Sequence, residues 1–198
     1  MRVVARRKNM KSQRSDTKPA LSLGFPPLAA TNARVLVLGS LPGPKSLETC
    51  EYYADARNAF WKIAARWIGH LPASYALRAG RLTQQGIAIW DVLAAATRSG
   101  ASDSKIRKDA IANNFRAFFH AHPRLQLLAF NGQKPAKLYQ RHVFPTLCGV
   151  HRAIPSVVLP STSGAHARDV AQKSKEWGVV WSVGRRKSRR RTQPPKPR

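Results

Sequence analysis

Short, continuously apolar runs alternate with longer stretches in which apolar residues recur every three or four positions. Residues 34–39 (RVLVLG), 86–90 (GIAIW), 125–130 (LQLLAF) and 156–159 (SVVL) are too short for helices and lack the polar alternation of a half-wet strand. They predict buried strands of a parallel sheet. Between the first two, residues 58–69 place Phe60, Ile63, Ala64 and Trp67 on one helical stripe, with Gly69 as a stop. Residues 74–85 predict a second helix, with Ser74 as N-cap and Gly86 closing it. Further helices are predicted over 113–120, 133–141 and roughly 165–177. The alternation implies an α/β fold, a three-layer αβα sandwich around a central four-stranded parallel sheet. Sites in such sheets lie beyond the carboxyl ends of the strands. That singles out the loops 40–57, 91–103, 131–132 and 160–165, the first of them long and rich in Gly, Pro and Tyr.

Charge adds a partner class. The chain of 198 residues carries a formal net charge of +26. Residues 1–20 hold seven Lys/Arg against Asp16, and residues 184–198 hold eight with no acid. Both segments are poor in apolar residues and are expected to be disordered. The domain between them, 21–183, keeps +12, so the folded part is itself basic. That favours a polyanionic partner, since phosphate contacts release condensed counterions. Charge alone separates neither DNA from RNA nor either from an anionic membrane. No run approaches the 18 apolar residues of a membrane span, and no apolar h-region follows the basic start, so neither a membrane helix nor a secretory signal is expected. Cys50 and Cys148 are too few for a disulfide scaffold or an iron–sulfur cluster and read as buried or idle thiols of a cytoplasmic protein. His120, His122, His142 and His151 lack the spacing of a zinc site.

The strand-end loops carry motifs. The first reads Gly39-Ser40-Leu41-Pro42-Gly43 and runs on through Tyr52-Tyr53-Ala54 to Arg57-Asn58-Ala59-Phe60-Trp61. The last reads Leu159-Pro160-Ser161-Thr162-Ser163-Gly164-Ala165. In this order, on these strand ends, they resemble the uracil-DNA glycosylase superfamily over roughly residues 34–181, most of all its hypoxanthine-DNA (deoxyinosine) glycosylase family, with kinship to the mismatch-specific branch. The resemblance implies a monofunctional DNA glycosylase of base excision repair. It would hydrolyse the N-glycosidic bond of a deaminated base flipped out of double- or single-stranded DNA. Hypoxanthine is the first candidate, with uracil and xanthine next. The enzyme would be a monomer, cytoplasmic and nucleoid-associated, needing no metal or other cofactor.

The site residues follow from the same resemblance. Several branches carry a polar residue at the position of Leu41, which can neither donate nor accept a hydrogen bond. Excision by that residue is excluded here, and the resemblance points to Asn58 as the catalytic amide. It would hold a water for attack on an oxocarbenium-like sugar, although Asn58 also suits a helix N-cap. Tyr53 falls where the mismatch branch stacks an aromatic on the flipped base; Tyr52 and Phe60 compete for that place, and loop packing is the plainer role. Gly39, Ser40, Leu41, Pro42, Gly43, Phe60, Asn131 and Leu159 complete the expected base pocket. Gly39 and Gly43 also suit a tight turn, and Asn131-Gly132 a turn pair. Asp91, at the end of the second strand run, can face the same pocket, cap a helix or pair with Arg98. Lys45, Ser46, Pro160, Ser161, Thr162, Ser163, Gly164, Ala165 and His166 are the expected DNA-contacting and wedging residues. For the serines and threonine a capping turn is the alternative, and for His166 a plain surface position. No lysine matches a catalytic position, which disfavours lyase chemistry. The competing readings are a non-catalytic basic nucleic-acid-binding protein on the same scaffold and a nucleotide-binding α/β domain. The second lacks its Gly-x-Gly-x-x-Gly turn.

Overall fold

The computed structural model of the chain describes residues 20–98, 110–166 and 168–185. Its first half runs β1 (Ala20–Leu23), β2 (Val35–Gly39), α1 (Pro44–Thr49), α2 (Phe60–Ile68), α3 (Tyr75–Gln84), β3 (Ile87–Asp91) and β4 (Leu93–Arg98). The second half runs β5 (Ile111–Ala112), α4 (Phe115–Ala121), β6 (Leu127–Asn131), α5 (Gln133–His142), α6 (Gly149–Arg152), β7 (Ser156–Leu159), α7 (Val170–Glu176) and α8 (Gly178–Gly184). The tails expected to be disordered lie outside the described residues, except residue 20, which starts β1, Gly184, which ends α8, and Arg185, which caps it.

The four expected strands form one sheet in the order β3-β2-β6-β7, and every pairing in it is parallel. The continuous apolar runs are explained by cover on both faces. Leu36, Leu38, Trp90, Leu128 and Phe130 point into a cluster with Phe115, Phe118, Phe119, Leu138 and Tyr139 from α4 and α5. Val35, Val37, Ile87, Ile89, Leu127 and Ala129 point into a second cluster with Phe60, Ile63, Leu82, Trp177 and Trp181 from α2, α3 and the α7–α8 corner. Aromatics of this size bury roughly 150–250 Å² each, so three of them (Phe60, Trp177, Trp181) carry much of the second interface.

Several boundaries differ from expectation. The loop placed at 91–103 contains β4, which pairs antiparallel with β1 and β5 in a separate three-stranded sheet. Its LAAATR sequence has little local strand signal, and its partners are distant in the chain. The helix expected over 165–177 begins later, at Val170, where the Asp169 carboxylate accepts from the Ala171 and Gln172 N–H groups. A second helix, α8, follows it. The helix expected from 113 starts at Phe115, capped by Asn114. Cys50 and Cys148 are exposed, not buried. Two strands run one residue beyond their apolar patterns, to Asp91 and Asn131, and this brings both polar side chains onto the sheet edge.

Candidate active site

The carboxyl ends of the four parallel strands are in register. Gly39 pairs with Asp91. Leu38 pairs with Phe130, which sets Gly39 beside Asn131, and Asn131 pairs with Leu159. In-register residues of neighbouring strands share a face. The row Asp91–Gly39–Asn131–Leu159 therefore lies on the α2/α8 side, two residues beyond Ile89, Val37, Ala129 and Val157. With strands about 4.8 Å apart, Asp91 and Asn131 stand roughly 10 Å from each other across a position with no side chain. Gly39 does not have a positive φ, so its requirement is space: an added Cβ would collide with Asp91 Oδ1 and lie 3.7 Å from the Tyr53 hydroxyl oxygen. Gly43 has φ −72° and nothing within 4 Å of an added Cβ. Neither glycine is required by a left-handed backbone.

Tyr53 is aimed at that gap by a constrained loop. Its φ is 58° and that of Cys50 is 55°, a left-handed backbone that costs about 1–2 kcal/mol per non-glycine residue. The surrounding structure holds it there. The Tyr52 N–H donates to the Tyr75 hydroxyl (3.1 Å), Trp61 Nε1 donates to the Tyr52 carbonyl (3.0 Å), and the Ala54 N–H donates to Ser46 Oγ (3.3 Å). Glu51 is tied to Arg78 at 2.8 Å, and the Arg78 guanidinium lies over the Trp61 and Tyr75 rings. The Tyr53 ring stacks on Phe60 with centroids 4.2 Å apart. Below it, burial and then the charge of Asp91 raise the Tyr52 pKa; its hydroxyl donates to the Pro26 carbonyl.

Asn58 sits where the first and last loops meet. Its Oδ1 accepts the Phe60 N–H at 3.0 Å, which fixes the amide at the start of α2 and leaves a second oxygen lone pair and the NH2 group for other partners. On either side the chain is joined to the last loop. The Ala59 N–H donates to the Thr162 carbonyl (2.8 Å), and at Gly164 an added Cβ would fall 2.6 Å from Arg57 Cβ. Arg57 forms an exposed fork on Asp55, whose carboxyl it holds at a pKa of about 2.

The last loop is anchored from below and open at its tip. Asn131 exchanges two 2.8 Å bonds with Thr162: Nδ2 donates to Oγ1, and Oδ1 accepts the Thr162 N–H. From the α7–α8 corner Trp177 Nε1 donates to the Pro160 carbonyl (3.0 Å), and from α7 Lys173 Nζ donates to the His166 carbonyl (2.8 Å). Lys173 is 2% exposed; burial, and then Arg168, lower its pKa. Ser163, Gly164, Ala165 and His166 are exposed. Ser161 is partly buried, packs against Gly132 and accepts the Ser163 N–H.

The chain matches the uracil DNA glycosylase superfamily over residues 26–182. It belongs to that superfamily. A protein of Methanosarcina acetivorans named hypoxanthine DNA glycosylase is 35% identical over 160 residues, 80% of this chain and 96% of that protein. Its namesake from Methanosarcina barkeri is 34% identical over the same shares. A solution structure from M. acetivorans, described as a candidate uracil DNA glycosylase, superposes with a TM-score of 0.69 at 34% identity, covering 82% of this chain and 97% of that one. The four-stranded α/β fold is thus the superfamily's.

Several expected site residues take other places in the fold. Ser46 is buried and serves the Tyr53 loop, and Thr162 is fully buried against Asn131, so neither side chain is presented to DNA. Leu41 turns into the core cluster on the opposite face of the sheet, away from Tyr53, Phe60 and Leu159. This explains how a residue without hydrogen-bonding groups is accommodated there. Phe60 is fully buried beneath Tyr53, and Leu159 is 4% exposed in the same cluster; both lie in the packed core against which Tyr53 rests. Pro42 is buried and Pro160 partly so. Lys45 is exposed and paired with Glu48 at 3.0 Å. Ser40 is 4% exposed, and its Oγ has no hydrogen-bond partner among the described residues. Sequence reading missed Lys173 and underweighted Asp91. The signal for the first was a lysine on the Val170-Lys173-Ser174-Trp177 stripe, a core spacing. For the second it was the residue ending an apolar strand.

Proposed function

We propose that this chain is a monofunctional DNA glycosylase that removes hypoxanthine from DNA, with uracil and xanthine as further substrates. The observation that carries the reading is that the stacked Tyr53 and Phe60 lie beside Gly39 on one sheet edge, while Asn58 is held by the Phe60 N–H between Arg57 and Ala59, which both meet the last loop, in a chain of this superfamily. The names of its Methanosarcina relatives give the base.

The mechanism follows from the parts. The exposed tip 163–166 enters the duplex and fills the gap left by the flipped nucleoside, a step that costs a few kcal/mol and less at a damaged pair. Tyr53 stacks on the base, which contributes about 1–3 kcal/mol. The Phe60 N–H fixes the Asn58 amide so that its remaining lone pair holds a water below the sugar. An amide positions water without deprotonating it, which is enough when the sugar is already cationic in the transition state. The row and its flanking residues offer no amine nucleophile, so water takes the sugar carbon and an abasic site is the product. The enzyme acts as a monomer at nucleoid DNA, which light scattering and chromatin fractionation test.

Duplex and single-stranded oligonucleotides carrying hypoxanthine, uracil or xanthine, treated with alkali after incubation, are expected to break at hypoxanthine first. Asn58→Ala is expected to fold and to lose about 100-fold or more in single-turnover excision, the scale of removing one positioned polar group. No cleavage at any of the three bases, or wild-type rates from Asn58→Ala, would refute the reading. Among the described residues no helix is long and apolar enough to cross a membrane.

A further inference from the structure

Building on the glycosylase reading, we infer that Arg78 of α3, paired with Glu51, is a positioning residue for excision: it holds Tyr53 in the backbone conformation that presents its ring to the flipped base.

A strained loop needs something to hold it. Cys50 and Tyr53 both have left-handed backbones, with φ 55° and 58°, which residues other than glycine rarely adopt. Such strain persists only where the surroundings over-determine it, and it gathers at functional sites. The two residues between them, Glu51 and Tyr52, are where this turn is gripped. The Glu51 N–H donates to the Ser46 carbonyl at 3.2 Å, and the Tyr52 N–H to the Tyr75 hydroxyl at 3.1 Å. The Tyr52 carbonyl accepts from Trp61 Nε1 at 3.0 Å, and its hydroxyl donates to the Pro26 carbonyl at 3.2 Å.

One guanidinium ties these bonds together. Arg78 Nη2 donates to Glu51 Oε2 at 2.8 Å, and Nη1 to the Ala73 carbonyl at 3.2 Å. Its Cζ lies 5.1 Å from the centroid of the Trp61 ring and 5.3 Å from that of Tyr75. Those are the two side chains that hold the Tyr52 peptide groups, and their own rings meet edge-on at 6.1 Å. Tyr75 and Arg78 stand three residues apart on α3, hence on one face. A planar guanidinium stacks on rings and pairs with a carboxylate at once, which a lysine ammonium does less well. Only 20% of the Arg78 side chain and 30% of that of Glu51 is exposed, so solvent screens the pair less than a surface one. Trp61 directly follows Phe60, on which the Tyr53 ring stacks, so the same cluster also supports that ring from beneath. Stability alone does not account for the placement. Arg78 Nε is buried with no hydrogen-bond partner among the described residues, and a buried donor left unpaired detracts from a fold.

The test measures single-turnover excision of hypoxanthine at saturating enzyme by wild type, Arg78→Met, Tyr53→Ala and the double variant, with thermal melts to confirm folding. Arg78→Met is expected to slow excision at least about fivefold, the low end of what one base–aromatic stack contributes. On the Tyr53→Ala background, which has no ring left to aim, the same substitution is expected to change the rate by less than about twofold. The affinity of Arg78→Met for duplex containing an abasic site, where there is no base to stack on, is expected to stay within about twofold of wild type. A merely structural Arg78 would slow excision equally with and without the Tyr53 ring and would weaken abasic-DNA binding; that result overturns the assignment. So does a wild-type rate from Arg78→Met or from Tyr53→Ala, and neither of these touches the glycosylase reading. Where Arg78→Met fails to fold, Glu51→Ala, at the more exposed partner of the pair, takes its place in the same comparison with the same expected outcomes. Failure of wild type on every deaminated base would instead remove the glycosylase reading, and this inference with it.

Discussion

Replacing Asn131 with alanine tests whether the last loop is positioned from the sheet edge. The substitution deletes two 2.8 Å hydrogen bonds to Thr162. Because Thr162 is fully buried, its N–H is left without a partner or water. Each deleted bond contributes about 0.5–1.5 kcal/mol, and a stranded buried donor costs about 1–3 kcal/mol. The expected loss is about 2–4 kcal/mol, or roughly 5–15 °C in Tm for a chain of this size. Asn131→Asp is expected to be milder, since a carboxylate still accepts the Thr162 N–H and the threonine hydroxyl can turn to donate. Thermal and urea unfolding of Asn131→Ala, Thr162→Val and the double variant gives the coupling directly; residues sharing these bonds are expected to couple by about 1 kcal/mol or more. Single-turnover excision of hypoxanthine by Asn131→Ala is expected to fall with stability, because the last loop and its contact with Ala59 are released together. A stability change within about 0.5 kcal/mol of wild type, or full additivity in the cycle, would refute the argument. Asn131 would then be a polar group held ready for the base.

Further outcomes follow from the same geometry. Gly39→Ala is expected to destabilise the fold by about 1–3 kcal/mol through its collision with the Asp91 carboxylate, and Asp91→Ala on that background is expected to recover most of the loss in a thermal melt. Lys173 has a folded-state pKa below its usual 10.5, so the unfolded chain binds its proton more tightly. Wild type is therefore expected to gain stability relative to Lys173→Met as pH rises from that lowered value towards 10.5, read as the difference between their urea midpoints; a pH-independent difference would contradict the burial argument. Deleting residues 186–198 removes seven Lys/Arg and leaves α8 whole. It is expected to flatten the slope of log affinity for DNA against log salt by up to about 0.9 for each phosphate that the segment neutralises, with single-turnover excision nearly unchanged. An unchanged slope would show that this segment does not touch DNA.

The amino-acid sequence determined the four buried strands, the helices α2, α3, α4 and α5 and the strand-end loops, but not α1, α6 or α8. A strand covered on both faces must be apolar along its whole length, and that requirement is local enough to read. The same is true of the Asn58–Trp61 and Leu159–Ala165 motifs, whose order on the strand ends pointed to the superfamily. Tertiary structure decided the rest. The β1-β4-β5 sheet pairs segments far apart in sequence, and Leu93–Arg98 has too weak a pattern to announce itself. Only the parallel register shows that Gly39 is a gap between Asp91 and Asn131, since strand order and alignment are fixed by packing across the whole sheet. Thr162, Ser46 and Leu41 look equally available in a loop sequence; the fold buries all three, because the backbone and core around them need a hydrogen-bond partner or an apolar filler at those points.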